Sequence, residues 1–279
     1  MIIFPFRLAS EIQSIDFAED LRVERMSDDI RTKLFGIKEC KHDEHGNLLS
    51  ITYNSPRTST HIIDFLDELE NTHFQASNYI LISSSRERAA IFNLALKLAG
   101  DSNSFISKGF SKNSAHFINP ECNLGKKPLK LNASLIKLIK DDLNVIPDMA
   151  TDSRFAVMSE IFLNSLSDKI RRSTRLLELA IVLEMLLLPK QTTELSYRFS
   201  LRFAIIVNKF FSNNRDESFA IAKRIYKMRS QIAHQGSSNL IDECESVVLE
   251  YTRKLLRTYI HTPNIFTDKE FDNLVLNGQ

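Results

Sequence analysis

Tryptophan is absent, cysteine occurs three times in 279 residues, and neither charge sign prevails, with 36 Lys+Arg against 35 Asp+Glu. Cys40, Cys122 and Cys244 are odd in number and far apart, which argues against a disulfide framework or a zinc cluster. His42 and His45 stand near Cys40 without a fourth ligand, and Asp43, Glu44 and Gly46 among them read as a turn. A net charge of +1 gives no whole-chain mark of a nucleic-acid partner. Long apolar runs are missing too: the most apolar stretch, 176–188, has 13 residues and contains Glu178 and Glu184, so a buried helix is expected and no membrane partner. The opening MIIFPFRLAS has no basic leader region, so a cytoplasmic protein is expected. Glycine-rich phosphate loops, Gly-x-Ser-x-Gly elbows and His-Glu-x-x-His motifs are all lacking, and no metal or cofactor is expected. What remains, 43% hydrophobic and 25% charged, is the composition of a globular protein.

The few glycines are unevenly placed. Five of seven fall at or before Gly125, and none lies between Gly125 and Gly236. That stretch of 110 residues, broken only by Pro128, Pro147 and Pro189, predicts successive long helices. Before it, 2–6, 48–54 and 79–83 read as short strands, and 61–72 and 86–99 as helices. The second of these helices opens on a capping box, Ser84 with Glu87, and stops at Gly100. Residues 101–127 are expected to be loop, with one strand around 115–118. From Leu131 the helical period takes over, with helices over 133–143, 153–166, 169–188, 194–211, 215–234 and 241–260. Thr267 and Glu270 cap a short last helix. Short connections favour an antiparallel bundle. The expected fold is mainly α: a small α+β domain over residues 1–128, then an all-α helical bundle over 129–279.

Charge, balanced overall, is concentrated locally. Residues 195–235 carry eight basic side chains (Arg198, Arg202, Lys209, Arg215, Lys223, Arg224, Lys227 and Arg229) against Asp216 and Glu217 alone. Arg198, Arg202 and Lys209 fall within about 40° on one helix face, where they would track a phosphate backbone or, in the plainer reading, form a solvated face helped by the Glu194–Arg198 pair. The 19 phenylalanines are most simply core, and Phe199, Phe203, Phe210 and Phe211 do not resemble exposed stacking platforms.

On the helix over 215–234, Ile221, Ile225, Met228 and Ile232 share a face within about 40°, and Arg229 falls at about 80°, inside the wider apolar arc. A guanidinium there cannot shed its proton and must find an anionic partner, such as Glu184. Glu184 itself interrupts an otherwise apolar run, so a paired buried carboxylate is expected; it either anchors Arg229 or Arg175 in an active site or forms a purely structural ion pair. Glu178 is expected to be an exposed partner of Arg175. His234 lies at about 220°, in line with Lys223 and Lys227 and about 140° from Arg229. A histidine before Gly236 caps a helix more simply than it catalyses. For the two to act together, the helix must end or loosen between them, or a second subunit must complete the site.

The stretch Tyr226-Lys-Met-Arg229-Ser230-Gln-Ile-Ala-His234-Gln-Gly236 resembles the Arg-x4-6-His motif of HEPN domains, the all-α modules of many prokaryotic RNases. It is most similar to the ApeA-like branch. The blocks 175–186 and 194–204 look like that branch's preceding helices, so the resemblance spans roughly residues 150–260. One departure is Gln235, where the branch usually has glycine directly after the histidine. The resemblance implies metal-independent RNA cleavage at a homodimer interface by attack of a ribose 2′-hydroxyl on its own phosphate. His234 would be the general acid or base and Arg229 would hold the scissile phosphate, with Ser230 and Glu184 supporting them. Arg198, Arg202, Lys223 and Lys227 would contact the RNA. A toxin-like or antiphage-defence role, with the first domain sensing or restraining the nuclease as a regulatory part or docking a regulatory partner, is implied by the family alone. The rival expectation is a non-catalytic HEPN-like dimerisation or RNA-binding module, with Arg229 structural and His234 a cap.

Overall fold

The computed structural model describes residues 1–27, 29–30, 37–42, 48–53, 77–100, 108–111, 114–117, 128–167, 169–190 and 193–276. It divides into two compact units, Met1–Leu96 with Gly100–Lys140, and Lys97–Ala99 with Asp141–Gln279. The protein is mainly α with an α+β part at its N-terminus.

The N-terminal unit is built on a six-stranded antiparallel sheet. Its strands are β1 (Ile2–Phe6), β2 (Ser14–Ala18), β3 (Leu21–Arg25), β6 (Tyr79–Ser83), β7 (Lys108–Ser111) and β8 (Ser114–Phe117), in the order β2-β3-β6-β1-β7-β8. β4 (Ile37–His42) and β5 (Leu48–Tyr53) pair separately. The apolar β1 and β6 lie at the centre, paired Ile2 to Ser83 through Phe6 to Tyr79. Pro5, which has no N–H to donate, is tolerated there because, among the described residues, the backbone pairing of β1 with β7 is confined to Ile3 opposite Phe110. Helix α1 (Arg86–Ala99) places Phe92 edge-on against Phe6 and Phe17, at centroid distances of 6.3 and 5.0 Å. Its N-cap is Ser85, which accepts from the Arg88 amide, so the cap lies one residue beyond Ser84. Gly109 faces Phe4 so closely that a β-carbon there would sit 2.2 Å from the ring.

Strands β2 and β3 escape the sequence reading, which places no element there. β3 alternates buried Leu21 and Val23 with the charged Arg22 and Glu24, a period-two pattern hidden by its polar half. The expected helix over 61–72 and the turn holding His45 lie outside the described residues. The boundary between units falls at residue 140, later than 128. Leu129 is tied to the first unit, where its carbonyl accepts from the Ala9 amide at 2.9 Å, and its side chain lies against Gly100.

The helical unit follows α2 (Ala133–Val145), whose last turns belong to it. It contains α3 (Ser153–Ser165), α4 (Arg172–Leu187), α5 (Leu195–Phe211), α6 (Arg215–Gln235), α7 (Ile241–His261) and α8 (Asp268–Leu276). α3 to α7 each begin and end within about three residues of their expected bounds, and α8 follows the Thr267 hydroxyl, which accepts from the Glu270 amide. α4 is the central element: Leu176, Leu179, Ala180, Val182, Leu183, Leu186 and Leu187 are all buried. Its last carbonyls, left without intrahelical donors, are taken by two arginines. Arg154 of α3 donates to the Met185 and Leu186 carbonyls, and Arg202 of α5 to that of Leu187. At the start of α7's last turn, the Asp142 carboxylate, fully buried, accepts from Arg257 and meets His261 at 2.7 Å. Among the described residues, no helix is long and apolar enough to cross a membrane.

Candidate functional site

Helix α6 carries most of the candidate residues. Asn214 caps its start, accepting from the Asp216 and Glu217 amides, and both acids lie in the first turn where the helix dipole favours them. The helix then runs unbroken to Gln235. It ends at Gly236, whose φ of +76° is the left-handed conformation that glycine adopts without penalty, and whose N–H donates to the Ile232 carbonyl. The Ser238 hydroxyl donates to the Gln231 side chain and accepts from the Leu240 amide, pinning the turn that follows. The helix does not loosen between Arg229 and His234, so about 140° still separates them within one chain.

Arg229 points toward α4. Its Nη2 donates to Glu184 Oε2 at 2.9 Å, while its Nε lies 2.9 Å from Oε1 without a hydrogen bond's alignment. The Arg229 side chain is 28% exposed and that of Glu184 19%. Burial pushes the Glu184 carboxyl above its usual range, and Arg229 partly opposes the rise. Burial also raises the phenol of Tyr226, whose ring lies 5.5 Å from Phe199; Glu184 adds to the rise and Arg229 opposes it. Arg175 goes elsewhere, donating to the Ser165 and Ser167 carbonyls and lying 3.7 Å from Glu245.

His234 is exposed and makes no hydrogen bond or ion pair with a described residue. It lies on the α6 face that carries Lys223, Lys227 and Ser230, all at about 180–240° on the same wheel. Those three residues, with Arg224, Tyr226 and Gln231 of α6 and Ser196 of α5, line an open groove of about 570 Å³. Lys223 and Lys227 are exposed and without an acidic partner among the described residues, whereas Arg224 pairs with Glu243 at 3.0 Å. One chain therefore presents His234, Ser230 and two lysines on a single face and turns Arg229 to a neighbouring one.

The remaining candidates separate. Arg198 is half-exposed and lies 3.7 Å from Glu194. Arg202 is not on the surface: its side chain is 4% exposed, bonded to the Leu187 carbonyl, paired with Asp268 at 2.8 Å and stacked 4.5 Å from the Phe271 ring centre. It cannot reach a phosphate backbone, because the end of α4 needs a cation and α5 supplies it. Glu178 also departs from expectation. Its Oε2 is buried with no hydrogen-bond partner, and burial raises its carboxyl, so it is not an exposed partner of Arg175.

The sequence did not single out Tyr197 or Gln231, and Arg224 counted only toward the local basic surplus. Tyr197 is 56% exposed, and its signal was available: it falls about 160° around α5 from the buried Phe199. Among the described residues, no three His, Cys, Asp or Glu side chains converge as metal ligands. Comparison with protein-family models, with curated proteins and with solved structures finds no match to this chain.

Proposed function

We propose that the helical unit is a metal-independent endoribonuclease of the HEPN type, completed by a second copy of the chain. The observation that carries this reading is the exposed His234, without a hydrogen-bond or ion-pair partner among the described residues, on the same face of α6 as Lys223, Lys227 and Ser230. The lysines hold the RNA backbone, and the imidazole carries the proton that the reaction moves. A ribose 2′-hydroxyl gives up its proton and attacks the adjacent phosphorus, and the bond to the 5′-oxygen breaks as that oxygen gains a proton. The products are a 2′,3′-cyclic phosphate and a 5′-hydroxyl. His234 serves as base or acid in this exchange, and Ser230 hydrogen-bonds the phosphate or orients the imidazole. The Arg229 guanidinium, oriented by Glu184, stabilises the developing negative charge when the second copy completes the site. DNA, lacking the 2′-hydroxyl, is not cut. A toxin-like or antiphage-defence role rests on the family resemblance alone.

The test is incubation of purified protein with RNA in EDTA, followed by an assay for cyclic-phosphate ends. Wild type should cut and His234→Ala should not, with both giving the same circular-dichroism spectrum. Full cleavage by His234→Ala refutes the mechanism. The Arg229–Glu184 pair favours a second reading, a non-catalytic dimerisation or RNA-binding module in which Arg229 is structural. Under it RNA is bound without being cut, and Arg229→Ala mainly lowers thermal stability.

A further inference from the structure

The face of α6 that carries His234 continues past the lysines to an aromatic pair. Tyr197, in the first turn of α5, is exposed over 56% of its surface, and its ring is large, rigid and amphipathic. Its ring meets that of Phe219 at 6.1 Å and 69°, so the edge-to-face contact fixes the tyrosine plane while leaving a face to solvent. Lys223 Nζ lies 5.4 Å from the Phe219 ring centre, which holds that ammonium beside the pair. Ser196, next to Tyr197, already lines the groove with Lys223 and Lys227. Lys223, Lys227, Ser230 and His234 then follow at intervals of four, three and four residues, a nearly straight row about 16 Å long.

We infer that this row is a path for single-stranded RNA, with Tyr197, backed by Phe219, as a platform on which one base stacks. The inference deepens the RNA-acting reading above and rests on it. An exposed aromatic face beside lysines that have no acidic partner among the described residues suits a strand whose bases are free and whose phosphates are charged. A duplex buries its base faces and offers nothing to Tyr197. An acidic peptide would satisfy the lysines but leave the platform unused. The row also sets a distance: the stacked base lies a few nucleotides from the phosphate at His234, so cleavage should fall at a fixed short interval from that base.

The experiment measures binding of the full chain to a fluorescein-labelled single-stranded RNA carrying 2′-O-methyl groups, which cannot undergo attack. Tyr197→Ala should weaken binding roughly 5- to 100-fold, the loss of one stacked base, and Tyr197→Phe should restore it. Lys223→Ala and Lys227→Ala should each lower the salt dependence of binding by about 0.7 in the log–log slope. The duplex of the same sequence should bind more weakly, and a polyglutamate peptide should compete poorly. Wild-type affinity in Tyr197→Ala, equal affinity for duplex, or equal competition by polyglutamate overturns the inference. So does the absence of any binding by the wild-type chain. Binding that follows the expected pattern without cleavage of ordinary RNA sinks the nuclease reading and leaves the path standing. Cleavage with an unchanged KM in Tyr197→Ala does the reverse.

Discussion

Two glutamates on α4 show how burial acts differently on a paired and an unpaired carboxylate. Glu184 has Arg229 within 2.9 Å, so removing either partner strands the other. Glu184→Gln and Arg229→Met should each cost about 1–3 kcal/mol in urea unfolding, and the double variant should recover most of the loss. Strictly additive losses would show that the pair does not act as a unit. Glu178 has no such partner among the described residues, and burial alone pushes its carboxyl up. A raised carboxyl pKa favours the protonated form in the fold. Its contribution to stability is present below the ordinary carboxylate range and lost as pH rises through the raised value. Glu178→Gln should therefore melt about 1–3 °C above wild type at pH 7.5, with the gain disappearing near pH 4. A variant no more stable at pH 7.5 would contradict this account.

At the scale of elements, helix ends decide what each cation does. Arg202 fell on the same predicted stripe as Arg198 and Lys209, yet the structure buries it against the Leu187 carbonyl, Asp268 and Phe271. A helical wheel gives direction relative to the same helix only; it cannot see that another helix ends there with unsatisfied carbonyls. Arg202→Ala should lower Tm by roughly 5–10 °C while leaving RNA affinity unchanged at temperatures where the variant is folded. An affinity loss without destabilisation would return Arg202 to the binding face. Gly236→Ala forces an L-residue into φ +76°, although nothing lies within 4 Å of the added carbon. The cost should be about 1 kcal/mol of conformational strain, read as a small fall in the unfolding midpoint. The helices themselves were legible because α4 to α7 contain no internal glycine or proline and keep a continuous apolar face. Strands β2 and β3 were not, because five residues alternating with charges give too short a signal.

For the whole molecule, near-neutrality conceals a local surplus. With 36 cations against 35 acids, long-range steering of RNA should be weak. Binding should depend on the groove, where Lys223 and Lys227 have no acidic partner among the described residues and Arg224 is paired with Glu243 at 3.0 Å. The two lysines together predict a log–log salt slope of about −1.4 on single-stranded RNA; a slope several-fold steeper would place the binding surface elsewhere. The angular relation of Arg229 and His234 could be read from the sequence, since it follows from helical spacing; that Glu184 takes Arg229 and not Arg175 could not, because it depends on how α4 and α6 pack. The groove could not, because it requires the N-terminal turn of α5 to lie beside the middle of α6.

The crowding at the end of α4 has a dynamic consequence. Arg154 from α3, Arg202 from α5 and Arg229 from α6 all close on its last turns, and Asp268 of α8 holds Arg202 from behind. Displacing any one of these helices exposes groups that the others alone cannot satisfy, so opening in small steps is disfavoured. Amide hydrogens over the core of the helical unit should then exchange as a single slow class with one shared opening free energy, rather than helix by helix.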